Sequence, residues 1–90
     1  MLPSSYDLFV AMMNELRLSD LPKSAKEIDS AVAKALNISQ NDLEELHSGN
    51  RTKFAYRMAW ERTHAKNKGL ITPLPGRKWQ VTDEGRRSKE

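Results

Sequence analysis

The spacing of apolar side chains changes once along this chain, and the change falls at Gly69. Before it, apolar positions recur at helical intervals; after it, they alternate as in strands. Ser4 or Ser5 can cap a first helix whose stripe is Leu8, Phe9, Met12, Met13 and Leu16, ending near Arg17. Ser24-Ala25-Lys26-Glu27 has capping-box spacing and opens a second helix to about Leu36, predicted to bury Ile28, Val32, Ala35 and Leu36. Ser39-Gln40-Asn41-Asp42 repeats the cap with Asp as the acid. It starts a short helix presenting Leu43 and Leu46, which Ser48-Gly49-Asn50 breaks. A long helix from about Thr52 to Lys68 then stops at Gly69, which suits a left-handed C-terminal cap. Beyond it, Leu70-Ile71-Thr72 and Trp79-Gln80-Val81-Thr82 read as strands joined by a turn from Pro73 to Lys78. Asp83 to Glu90 reads as a polar tail, frayed or a linker. The fold class is mainly α with a C-terminal β-hairpin, in the element order of a winged helix (winged helix-turn-helix). Residues 1–85 make that domain, and 86–90 the tail or the start of a linker.

Ninety residues make one domain with a modest core and little room for the walls of an enclosed active site. The chain has no cysteine, which excludes disulfides and Cys-based metal sites and favours a cytoplasmic setting. Its longest wholly apolar run, Leu8 to Met13, is too short to span a bilayer, and no basic segment precedes a signal-type core. A soluble protein that is not exported and makes no membrane contact is expected. Charge is unevenly divided. Residues 1–50 carry four basic and eight acidic residues, whereas residues 51–90 carry eleven and four. A basic half of this kind is the footprint of a polyanion-binding surface, or else an uneven solvated surface.

The long helix concentrates the question. Projected at about 100° per residue, Phe54, Met58, Glu61 and Ala65 fall within roughly 60° of one another and face the core. The opposite face holds Thr52, Lys53, Tyr56, Thr63 and Asn67, with Arg57 and Lys66 at its margins. Such groups reach phosphates and base edges, although any exposed helix face is polar. Arg51-Thr52-Lys53 sits at the N-terminal end, where free N–H groups and a partial positive charge favour an anion. Arg77-Lys78 lies at the hairpin tip, placed for a duplex backbone or minor groove. The candidate nucleic-acid-binding residues are therefore Arg51, Thr52, Lys53, Tyr56, Arg57, Arg77 and Lys78. Trp60 and Trp79 raise base stacking. A core role is preferred for both, with Trp79 covering a helix and Trp60 packed under the hairpin. His47 and His64 are too isolated to hold a metal, and no cofactor is called for. The chain has no Gly-rich phosphate loop, no Ser-His-Asp arrangement and no acid pair followed by Glu-x-Lys. It does not read as an enzyme by itself.

From Tyr6 to Gly85 the sequence resembles the N-terminal winged-helix domain of Mrr-type restriction proteins, which belong to modification-dependent DNA restriction systems. The matching stretches are Leu36-Asn37-Ile38-Ser39, Asp42-Leu43-Glu44-Glu45-Leu46, Ser48-Gly49, Thr52-Lys53-Phe54, Arg57-Met58 and Trp60. They continue through Lys68-Gly69-Leu70-Ile71, Gly76-Arg77, Trp79 and Val81-Thr82-Asp83-Glu84-Gly85. The chain departs from the family pattern at Glu61, Ala65 and Lys68, and at His47, which stands where a proline is usual. The resemblance implies a module that binds double-stranded DNA ahead of a separate C-terminal nuclease domain of the PD-(D/E)xK type. Two other functions stay open. One is a protein-interaction or homodimerising winged helix that works through its acidic half; the other is a stand-alone transcriptional regulator.

Overall fold

The computed structural model describes residues 2–19 and 21–87. Along the chain run α1 (Ser5–Leu18), β1 (Lys23–Ser24), α2 (Ala25–Ala35), α3 (Gln40–Glu44), β2 (Leu46–Ser48) and β3 (Arg51–Thr52). They are followed by α4 (Lys53–Asn67), β4 (Ile71–Leu74), β5 (Lys78–Val81) and α5 (Asp83–Arg87). β4 and β5 form the expected antiparallel hairpin, with Ile71 opposite Val81 and Leu74 opposite Lys78. β1 joins the free edge of β5, Lys23 facing Trp79 and Ser24 facing Lys78. The result is a three-stranded sheet in the order β1-β5-β4. Helices followed by this hairpin make a winged-helix arrangement.

The predicted caps form as the sequence spells them. The Ser4 hydroxyl accepts the Asp7 N–H at 3.1 Å, and the Ser39 hydroxyl accepts that of Asp42 at 3.2 Å. In the capping box the Glu27 N–H donates to the Ser24 hydroxyl at 3.2 Å while the Ser24 N–H donates to the Glu27 carboxylate at 2.9 Å. α4 ends as Gly69 turns to φ +76°, its N–H reaching the Lys66 carbonyl and that of Leu70 reaching Ala65, both at 2.9 Å.

α1 lies at the centre and packs against α2, α4, β5 and α5. Its Leu8, Met12, Met13 and Leu16 are fully buried, and they meet Ile28 and Val32 of α2, Met58 of α4 and Ile71 of β4 in one core. Phe9 only borders that core; the Lys68 ammonium sits 5.3 Å from its ring centroid. α2 is also held to α4 by an ion pair largely out of water, Arg62 Nη1 to Asp29 Oδ1 at 2.7 Å.

Four expectations need correction. Ala35 is exposed, because the stripe of α2 narrows to Ile28 and Val32 and the end of the helix borders an open groove with α1. Leu46 is 58% exposed in a strand, because α3 ends at Glu44 and the chain doubles back, the Lys53 N–H donating to the Glu45 carbonyl at 2.8 Å. Trp60 is exposed and not in the core. Residues 83–87 form a docked helix and not a frayed tail; residues 88–90 lie outside the described residues. Thr82 seats α5: its N–H donates to the Leu70 carbonyl at 2.9 Å and its hydroxyl accepts the Gly85 N–H at 3.0 Å. Arg17 completes the clasp, donating from Nε to the Gly85 carbonyl at 2.8 Å.

Two stability tests follow from this packing. A Cβ on Gly85 would overlap the Leu70 carbonyl oxygen and Val81 Cγ2. Gly85→Ala should therefore destabilise the domain by about 1–3 kcal/mol, the usual cost of overpacking, measured by chemical denaturation. Asp29 has its carboxyl pushed above the ordinary value by burial, with Arg62 opposing that shift. A raised carboxyl contributes stability that is fully present below its unfolded-state value and lost as pH rises through the folded one. Arg62→Ala leaves that carboxylate uncompensated. It should cost about 3 kcal/mol at pH 7 and progressively less as pH falls through the raised value of the Asp29 carboxyl, where the group becomes neutral and no buried charge is left unpaired.

Candidate nucleic-acid interface

α4 divides as its sequence periodicity predicts: Phe54, Met58, Glu61 and Ala65 are its buried residues. Glu61 is an acid at 4% exposure, and it lines an open recess with Ser5, Tyr6, Phe9, His64 and Lys68. Its Oε1 lies 3.8 Å from His64 Nδ1.

The seven candidate residues fall into four settings. Thr52 is the N-cap of α4, its hydroxyl accepting the Ala55 N–H at 3.1 Å, so it shapes the helix end and its oxygen is already engaged. Lys53 and Arg57 border a recess with Glu45 and Leu2. Lys53 Nζ pairs there with the Glu45 carboxylate at 2.8 Å, both side chains about half exposed, and Arg57 donates from Nη2 to the Ser5 hydroxyl at 3.2 Å. Arg51 and Tyr56 lie on the outward side, where the Arg51 guanidinium sits 5.6 Å from the Tyr56 ring centroid.

Arg77 and Lys78 sit at the tip of the β4–β5 hairpin. Gly76 and Arg77 both adopt positive φ, +83° and +59°, and turn the hairpin so that both basic side chains are exposed. Because Ser24 faces Lys78, the tip neighbours the start of α2. The Glu27 carboxyl is held below its ordinary value by the Ser24 N–H first and its hydroxyl next, with Lys78 and Lys23 adding to the effect.

Three further residues on the outward side lie outside the seven candidates. His47 stacks on Tyr56 at 4.0 Å between centroids and 19° between planes. Trp60 meets Tyr56 edge-on at 6.5 Å and 78°, and His64 lies 5.8 Å beyond Trp60. The rings of His47, Tyr56, Trp60 and His64 thus form a continuous ladder across α4. His47 reaches it because β2 and β3 pair as a second hairpin, Leu46 opposite Thr52 and Ser48 opposite Arg51. A signal for that hairpin was present, since a two-residue Gly49-Asn50 loop between short segments is a hairpin turn as well as a helix breaker.

Among the described residues no group of three or more His, Asp or Glu side chains is arranged to hold a metal ion, and no helix is long and apolar enough to cross a membrane. No curated protein and no solved structure matches the chain. A family model does: that of the Mrr N-terminal domain matches residues 7–90. With the winged-helix arrangement described above and a match over nearly its whole length, the chain belongs to the Mrr N-terminal domain family.

Proposed function

We propose that residues 1–85 bind double-stranded DNA, with the start and outer face of α4 in the major groove and the β4–β5 hairpin on the adjacent backbone. In this reading Arg51, Lys53, Arg57, Arg77 and Lys78 meet phosphates, Thr52 presents the N-terminal turn of α4, and Tyr56 approaches base edges. The observation that carries it is the charge partition. Eleven of the chain's fifteen Lys and Arg residues lie beyond position 50, and Arg51, Lys53, Arg77 and Lys78 among them are exposed, the first two just before and at the start of α4 and the others on the β4–β5 hairpin. The domain would serve as the DNA-recognition part of a modification-dependent restriction endonuclease whose nuclease is a separate unit, acting in the cytoplasm.

A second reading is a protein-interaction or homodimerising module. It draws on the groove between α1 and α2, where Tyr6, Val10, Leu18 and Leu36 lie beside Asp7 and Glu15. Salt separates the two. Four to six phosphate contacts give a slope of about −0.9 per contact in log K against log salt, with non-specific dissociation constants on the order of 10⁻⁴ to 10⁻⁶ M. Absence of duplex binding at low salt would remove the DNA reading. The pair Arg77→Ala with Lys78→Ala should lower affinity for every duplex by a similar factor and flatten the slope by about one to two units, base preference surviving.

The two faces of α4 can be separated by mutation. Arg51→Ala and Lys53→Ala should weaken DNA binding while changing stability by less than about 0.5 kcal/mol, since the Lys53–Glu45 pair is solvent-exposed. Phe54→Ala should cost about 3–5 kcal/mol, seen as a large fall in the denaturation midpoint.

A further inference from the structure

We propose that the outer face of α4 holds a single unstacked nucleobase in the notch beside Trp60, with the indole as the stacking surface. The proposal rests on the DNA-binding reading and names what this part of the surface takes. Tyr56, Ala59, Trp60 and Thr63 stand at i, i+3, i+4 and i+7, so they form one patch on α4. With Arg51 they line a shallow cavity of about 300 Å³. Ala59 keeps its floor low between two large rings.

The rings on either side of that floor are not equivalent. Tyr56 is already engaged, with His47 stacked parallel to it at 4.0 Å and the Arg51 guanidinium over its ring. Among the described residues no ring lies parallel on Trp60, since Tyr56 meets it at 78° and His64 at 38°. It is 48% exposed. Tyr56 is therefore a braced post, and Trp60 is the ring that retains stacking capacity. An indole left this open on a small domain has much to gain from a flat aromatic partner.

The surrounding charge selects the occupant. Arg51 stands at the rim of the notch, in the basic half of the chain, where it can meet the phosphate next to a bound base or the base edge itself. The Thr63 hydroxyl, which donates to the Ala59 carbonyl at 3.1 Å, keeps its acceptor capacity for a base N–H. A cationic rim with hydrogen-bonding groups around one open indole suits a nucleotide better than an apolar peptide or an acyl chain. A base inside a duplex cannot offer its face. The occupant is a base outside the stack, as at a bulge, a mismatch or in a single strand.

The experiment compares two DNA duplexes of one sequence, fully paired or carrying a single unpaired thymine, by titration in a Trp79→Phe background where emission reports Trp60 alone. Circular dichroism checks that this background and the variants below keep the fold. The bulged duplex should quench Trp60 and bind roughly ten-fold or more tightly than the paired one, in line with the usual strength of base–aromatic stacking. In the otherwise wild-type chain, Trp60→Ala should abolish that preference while leaving paired-duplex affinity close to wild type, and Trp60→Phe should restore part of it. Equal affinity for the two duplexes, or a preference that survives Trp60→Ala, overturns the notch and leaves the duplex reading standing. Strong binding and quenching by the bulged duplex with no measurable affinity for the paired one upholds the notch and overturns the duplex reading. No binding of either overturns both.

Discussion

Everything else in the molecule is arranged around the burial of one face of α1. Leu8, Met12, Met13 and Leu16 are removed from water together, and α2, α4, β5 and α5 are the elements that cover them. Each such side chain contributes about 1.5–3 kcal/mol when fully buried, a large share of what a domain of this size has available. Two of the four are methionines, and Met58 joins them from α4. Unbranched thioethers fill irregular space, which suits a centre where helices and a narrow sheet meet.

α4 depends on that centre for its orientation. Phe54, Met58 and Ala65 dock on the core, and the helix has no further choice about which residues point away. Tyr56, Trp60 and Thr63 line the outward notch for that reason, and Arg51 joins them from the strand before the helix. The same constraint puts Glu61 on the buried side. The acid is tolerated because its recess also contains His64 and Lys68 and opens to solvent.

The basic residues of the second half serve two purposes. Arg62 holds α4 to α2 through Asp29, and Arg86 donates to the Arg17 carbonyl at 3.3 Å where α5 meets α1. These charges are structural. Arg51, Arg77 and Lys78 stand in water. A total of basic residues overstates the surface open to a polyanion, and only the contacts each side chain makes in the folded chain separate the two groups. Lys53 lies between them, exposed yet paired with Glu45, so a phosphate would have to compete with that carboxylate.

The parts legible in the sequence are those encoded within a few neighbouring residues. Ser4, Ser24 and Ser39 cap helices because a hydroxyl needs only the N–H groups of the next turn, and Gly69 ends α4 because only its own φ is at stake. The helical-period stripe of α4 likewise named its buried residues, and the same projection carried the information that Trp60 lies away from them. The tendency of a large aromatic to seek the core points the other way, and at Trp60 the helical projection prevails. What the tertiary structure alone decided depends on groups far apart in the chain. β1 is two residues long and is a strand only because β5 pairs with it; α5 is a helix on the core only because Gly85 lets it approach Leu70 and Arg17 reaches across from α1. His47 meets Tyr56 only after the β2–β3 hairpin has folded back. Such contacts leave no periodic trace, because each is set by how rigid elements come together in space and not by the local preference of the residues that make it.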